Sequence, residues 1–302
     1  MATHTTALSR PLGSSRKMDK NYTLSVGVLL LLLSAFLYNS QEGWQRISKL
    51  LGTGILSPHC PGIGVAIDCT TYQCGQNYTV EILSIDPLAI YLNNFLDDAE
   101  IRYLLALGEN IYKPSEVVSH SGNVVNTAVR SSESAFLPAD DVVCKCLISR
   151  MKSLLGNVQH EHVESLQMVR YAASGDRYRL HTDWSVAAKN NTDEASGNPR
   201  QSRRLGTILV YLEDSCTGGE TYFPLLNGVS DSADGDKFAV AKQGQGLLVR
   251  PKRGNGVFWN NIHANGTGDD RVVHAGLPIK SGVKVGLNMW STYYFDAPLV
   301  GG

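Results

Sequence analysis

The stretch Tyr178-Arg179-Leu180-His181-Thr182-Asp183 organises the reading of this chain, and His274 and Lys284 answer it about ninety residues later. Alternate side chains of a β-strand share a face, so a His-x-Asp triplet on a strand aims an imidazole and a carboxylate at one point. His274 offers a second imidazole. Two histidines and one carboxylate on three corners of an octahedron, with the other corners open, suit non-haem Fe(II). Lys284 lies ten residues beyond His274, and an ammonium projecting from a strand into an apolar barrel is costly unless an anion meets it. The carboxylate of a bound 2-oxo acid is such an anion. The rival third ligand, His263, lies in Asn260-Asn261-Ile262-His263-Ala264-Asn265-Gly266, which reads as a loop, with no Lys or Arg at the matching interval beyond it. His160 and His162 form a His-x-His pair whose polar neighbours read as a surface turn.

Further blocks surround the triplet in order. They are Leu166-Gln167-Met168-Val169-Arg170-Tyr171, Thr207-Ile208-Leu209-Val210-Tyr211-Leu212, Gly218-Gly219-Glu220-Thr221-Tyr222-Phe223-Pro224, Gly256-Val257-Phe258-Trp259, and Asp270-Arg271-Val272-Val273-His274-Ala275-Gly276 with Pro278 and Lys284. Upstream stands Val129-Arg130-Ser131-Ser132-Glu133-Ser134-Ala135-Phe136-Leu137. With these blocks, Glu164 to Trp290 resembles the catalytic core of the prolyl 4-hydroxylase branch of the Fe(II)/2-oxoglutarate-dependent dioxygenases, and the upstream block resembles that family's Arg-Thr-Ser segment.

The resemblance implies a mainly β fold with flanking helices around a double-stranded β-helix (jelly-roll) core. It implies a reaction that uses O2 and Fe(2+), decarboxylates 2-oxoglutarate to succinate and hydroxylates an unactivated C–H bond, with ascorbate as supporting reductant. His181, Asp183 and His274 would hold the metal, and Lys284 would pair with the distal carboxylate of 2-oxoglutarate. Thr207 and Tyr171 would neighbour the co-substrate, Tyr178 would line the site, and Trp259 would close an apolar wall near the metal. Arg130 would border the substrate groove and Arg271 would support its entrance. For Tyr171, Tyr178 and Trp259 an ordinary place in the aromatic core is the competing reading.

Departures from the family pattern bear on substrate. Leu180 precedes His181 where proline is usual, one extra residue separates Tyr171 from His181, Leu277 replaces a cysteine, and Val285 replaces a tryptophan. No metal ligand is touched. The departures loosen the assignment of peptidyl proline, which stays the favoured substrate, with a small molecule or free amino acid as the first alternative and a catalytically silent binding scaffold as the second.

The rest of the chain sets the context. Residues 1–20 carry Arg10, Arg16, Lys17 and Lys20 against Asp19, ahead of an apolar run over about 22–38. That run is near the lower length limit for crossing a bilayer, and its basic flank favours a cytoplasmic N-terminus. A signal anchor is the expectation, against a cleaved signal peptide or a buried core helix. The expected organisation is a tail and single-pass anchor over 1–45, a Cys-containing linker over 46–80, a catalytic domain over 81–296 and a tail over 297–302. The catalytic domain would then be lumenal, in the endoplasmic reticulum membrane. Six cysteines permit disulfides there, and sequons begin at Asn77, Asn190 and Asn265. With 27 basic and 28 acidic residues, nothing calls for a nucleic-acid partner.

Ile82 to Leu92 reads as one or two short strands. Ile101, Leu104, Leu105 and Leu107 mark a first helix that an upstream Asp caps, and a second helix is expected from Asp140 to Leu155 with Val143, Leu147, Ile148 and Met151 facing in. After Glu164 the segments are short, β-rich and broken by glycine, which points to a sandwich or barrel rather than βαβ units. Ser185 to Arg204 is polar and reads as a loop, either a lid or an insertion.

Overall fold

The strand Lys284–Tyr294 shows how alternation in the sequence builds the molecule. Lys284, Gly286, Asn288 and Trp290 line an internal cavity, whereas Val285, Leu287 and Met289 join the core beneath the helices. Successive side chains of a strand take opposite faces, so one segment supplies both a polar wall and an apolar floor. The computed structural model describes residues 67–300 apart from 69, 119–123, 126–129, 161, 193–198, 242–244 and 297.

Lys284–Tyr294 pairs antiparallel with Pro199–Glu213 on one side and with Gln167–Tyr171 on the other. These strands lie inside a ten-stranded sheet whose path runs Thr79–Ile85, Leu88–Asn93, Gly256–Asn260, Pro199–Glu213, Lys284–Tyr294, Gln167–Tyr171, Glu133–Phe136, Lys113–Pro114. A five-stranded sheet, ordered Phe238–Ala239, Leu247–Val249, Thr221–Phe223, His274–Gly276, Tyr178–His181, faces it. Tyr91, Tyr211, Val257 and Trp259 from the larger sheet meet Phe223, Leu247 and Val249 from the smaller one. This is the double-stranded β-helix with flanking helices that the sequence led us to expect.

Helix α1, Asp98–Gly108, begins at a capping box in which Asp97 accepts from the Glu100 amide and Glu100 accepts from the Asp97 amide. Helix α2, Val142–Leu155, begins where Asp141 accepts from the amides of Val143 and Cys144. Ile101, Leu104, Val143, Leu147 and Met151 pack with Ile208, Val210 and Leu287 on one face of the larger sheet. Burying each such side chain contributes about 1.5–3 kcal/mol, which is what holds the helices there.

Several expectations change. The polar segment from Ser185 to Arg204 is not simply a loop: Lys189–Thr192 pairs antiparallel with Pro199–Ser202 and extends the long strand outward. The paired stretches are predominantly polar and give no apolar period-2 signal, so composition hid the pairing. His160 is buried rather than on a surface turn. Val300, inside the expected C-terminal tail, bridges Val158. The apolar run over about 22–38 lies outside the described residues, and among the described residues no helix is long and apolar enough to cross a membrane.

Ahead of the first strand, Cys74 is disulfide-bonded to Cys146 of α2. Tyr72 donates to Glu100, and Glu100 receives both guanidinium nitrogens of Arg150 at 2.7 and 3.0 Å. This ion pair joins α1 to α2 with both partners almost fully buried. Arg150→Met is expected to lower unfolding free energy by about 3–5 kcal/mol, because it strands a buried carboxylate. Urea denaturation followed by circular dichroism measures this, and a loss below about 1 kcal/mol would contradict it.

Candidate active site

His181 and His274 occupy adjacent strands of the smaller sheet as direct cross-strand partners. Such partners hold their Cβ atoms about 5 Å apart, so register alone brings together residues distant in sequence. Their ring centroids are 4.2 Å apart. Asp183 follows in the bend just past the strand Tyr178–His181, with Oδ1 3.7 Å from His181 Nε2 and Oδ2 3.9 Å from His274 Nε2. One ligand atom from each of the three residues falls within 4.8 Å of the others.

Backbone contacts select which nitrogen faces inward. His181 Nδ1 lies 2.8 Å from the Arg179 carbonyl, and His274 Nδ1 lies 3.0 Å from the Val272 carbonyl. A carbonyl can only accept, so each Nδ1 carries the proton and each Nε2 lone pair points to the centre. Burial, followed by the neighbouring His274, holds His181 well below the ordinary imidazole range and therefore neutral. Burial would raise the Asp183 carboxyl, but His274, His181, Arg204 and the Thr207 hydrogen bond outweigh it and hold it anionic. Two neutral imidazoles and a hard carboxylate fit Fe(II), and among the described residues the cluster includes no cysteine.

The second half of the site lies on the larger sheet. Lys284, 3% exposed, donates to the Gly219 carbonyl at 2.6 Å and lies 5.4 and 5.5 Å from the ring centroids of Tyr171 and Tyr211. No carboxylate pairs with it among the described residues, and burial pushes its pKa down to about 8. Gly219 adopts φ +75°, and a Cβ there would lie 2.9 Å from Ile279 Cγ2 and 3.3 Å from Lys284 Cδ. Only glycine lets that backbone meet the lysine so closely. The ammonium, the three-residue cluster, Tyr171, Tyr178 and Trp259 line one cavity of about 1070 Å³.

The remaining expected residues distribute unevenly. Tyr178 stacks on His181 at 3.6 Å between centroids, and the Arg130 guanidinium lies 4.7 Å from the Tyr178 ring centroid. Trp259 meets His274 edge-on at 4.6 Å. Thr207, expected beside the co-substrate, instead donates to Asp183 Oδ2 at 2.7 Å. Arg271 does not line the cavity: its guanidinium turns to Asp269 and Asp86. Sequence reading missed Trp290, which donates to Asp183 Oδ2 at 3.1 Å, and Arg204, which stacks 3.7 Å over Trp290 while pairing with Glu164. Trp290 lies an even number of residues from Lys284, so strand alternation could have found it.

Trp184, just after Asp183, donates to the Asp269 carbonyl at 3.1 Å. Its indole lies against Gly268, where a Cβ would fall within 2.1 Å of the ring. Glycine at this position is thus the seat for the tryptophan that leads out of the metal-binding triplet.

The chain is similar in sequence to known proteins. Residues 166–292 match the model of the 2OG-Fe(II) oxygenase superfamily. The chain is 30% identical over 217 residues to prolyl 4-hydroxylase 1 of Arabidopsis thaliana, covering 71% of this chain and 72% of that protein. It is 30% identical over 218 residues to probable prolyl 4-hydroxylase 3 of the same plant, covering 72% of each. Among solved structures, the viral collagen prolyl hydroxylase of Paramecium Bursaria Chlorella virus-1 aligns with TM-score 0.47 and 23% identity over 68% of this chain and 95% of that one. The identity to the plant relatives extends over most of both chains, and on that basis this chain belongs to the prolyl 4-hydroxylase family of 2OG-Fe(II) oxygenases.

Proposed function

We propose that this protein hydroxylates C4 of proline within a peptide or protein, converting 2-oxoglutarate to succinate as it does so. The observation that carries the reading is the shared cavity, in which a buried ammonium that pairs with no carboxylate among the described residues and a His–Asp–His cluster face the same space. When bound, iron supplies the O2 chemistry that oxidises the C–H bond. The chain's own groups do the rest. His181, Asp183 and His274 hold the ion, and Lys284 anchors the distal carboxylate of the co-substrate so that its 2-oxo acid end reaches the ion. Tyr178 and Trp259 cover the two imidazoles and keep water from them. The cavity continues past the cluster to Trp184, Val186 and Arg204, which leaves room for a second substrate.

The test is succinate formation by the purified protein from about residue 46 onward, with Fe(II), ascorbate and 2-oxoglutarate, with and without a poly-proline peptide. Peptide-stimulated succinate with one oxygen added to the peptide is the expected result. Stimulation by free proline or another small molecule, and not by peptide, would replace the substrate assignment. No succinate from iron-loaded, folded protein under any condition would favour the scaffold reading.

We also infer a lumenal catalytic domain behind a single N-terminal span. The apolar run over about 22–38 and its basic flank support this, as does the Cys74–Cys146 disulfide, a bond typical of oxidising compartments. Protease protection of the full chain in microsomes is the expected outcome. Digestion without detergent would refute the placement.

A further inference from the structure

Thr207 has a single hydroxyl proton and two polar neighbours competing to define its direction. Asp183 Oδ2 lies 2.7 Å away on one side, and the Asn261 side-chain amide lies 2.9 Å away on the other. All of this is sealed from solvent, with Thr207 and Asn261 both at 0% exposure. A carboxylate only accepts, so the Thr207 proton goes to Asp183 and the amide must turn its N–H, not its oxygen, toward Thr207. That orientation leaves Asn261 Oδ1 without a partner among the described residues, an arrangement that is costly in a buried place. The amide is therefore not oriented by its own needs. It is oriented by the carboxylate two bonds of the relay away.

The backbone holds Asn261 firmly for this purpose. Its N–H donates to the Leu205 carbonyl at 2.7 Å, and its carbonyl accepts from the Asp269 amide at 2.9 Å. One of these contacts reaches the strand that carries Thr207, and the other reaches the Asp269 that receives Arg271 and whose carbonyl seats Trp184. Thr207 and Trp290 both donate to Oδ2 of Asp183, the oxygen that also lies 3.9 Å from His274 Nε2, while Oδ1 lies 3.7 Å from His181 Nε2.

We propose that Asn261 is a positioning residue for the metal site: by donating to Thr207 it fixes the direction of the Thr207 hydroxyl and so the rotation of the Asp183 carboxylate. The proposal rests on the reading of His181, Asp183 and His274 as metal ligands. Outer hydrogen bonds of this kind change metal affinity by about 10- to 100-fold when removed.

The experiment uses Co(II) as probe, titrated anaerobically through its d–d absorption into the metal-free protein, in a double-mutant cycle. Thr207→Ser keeps the hydroxyl and is expected to stay within about twofold of wild type. Thr207→Val is expected to weaken Co(II) binding about 10- to 100-fold, and Asn261→Leu about fivefold. Because Asn261 acts only through Thr207, Asn261→Leu should have no further effect, and should not shift the d–d bands, in the Thr207→Val background. Equal losses from Asn261→Leu in both backgrounds would assign it a merely structural role and overturn the proposal, as would unchanged affinity in the wild-type background. Thermal melting of the metal-free variants checks folding, and Asn261→Ala, which adds no bulk, completes the cycle if the leucine variant does not fold. Failure of the ligand assignment itself is separable: Co(II) affinity unaffected by His274→Ala would remove the metal site and the inference with it.

Discussion

Asp183→Ala is expected to reduce peptide-stimulated succinate formation by at least about a thousandfold, equivalent to about 4 kcal/mol of transition-state stabilisation. Asp183 is the one anionic member of the cluster, so its loss removes the charge that balances the ion and leaves two neutral imidazoles as a bidentate site. Thr207 and Trp290 would also lose their common acceptor. Asp183→Asn separates the contributions. It preserves the shape and keeps an acceptor for those donors, yet it presents no negative charge, and activity should fall nearly as far. Parallel thermal melts guard against unfolding. Residual turnover above about a tenth of wild type in either variant would mean that another residue supplies the third ligand.

Lys284→Met is expected to weaken 2-oxoglutarate binding by about 2–5 kcal/mol, roughly thirtyfold to several thousandfold, since truncating one partner of a buried charge pair strands the other. The same lysine gives a pH signature. Burial lowers its pKa to about 8 in the ligand-free protein, and the dicarboxylate prefers the protonated form. Affinity should therefore be flat below pH 8. Above pH 8 it should weaken by up to about tenfold per unit, with one proton taken up on binding. Lys284→Arg keeps its charge throughout this range and should show weaker but pH-independent binding. Isothermal titration calorimetry in buffers of different ionisation enthalpy measures both effects. A wild-type affinity constant from pH 7 to 10 would show that the ammonium does not meet the co-substrate.

Much of this site was legible in the sequence because it follows from strand periodicity. Lys284 begins the alternation that lines the cavity, and His181 and Asp183 meet at the spacing of two read from the sequence, although the strand ends at His181 and Asp183 lies in the bend beyond it. The resemblance carried by the blocks around them supplied the fold. Other features depend on register and long-range packing, which spacing does not encode. That His274 pairs directly with His181 is a property of the smaller sheet. The Glu100–Arg150 pair joins positions fifty residues apart that look like ordinary helix-surface charges in the sequence. Arg271, adjacent to the His274 block, was expected at the entrance, but Asp86 and Asp269 capture its guanidinium from outside the cavity. Thr207 was expected as a hydrogen-bonding neighbour of the co-substrate, but its partner depends on how far along the strand the metal cluster sits, and there it meets Asp183.

The Cys74–Cys146 cross-link also decides where mechanical load enters the molecule. The strand Thr79–Ile85 lies at the edge of the larger sheet, and tension on a free N-terminal segment would peel it away one hydrogen bond at a time. With the disulfide closed, a pull arriving from upstream of Cys74 bypasses that strand. It passes into α2, and from there spreads through Arg150 and Glu100 into α1 and the helical layer. A pull applied just upstream of Cys74 thus reaches the helical layer before it reaches the edge strand Thr79–Ile85.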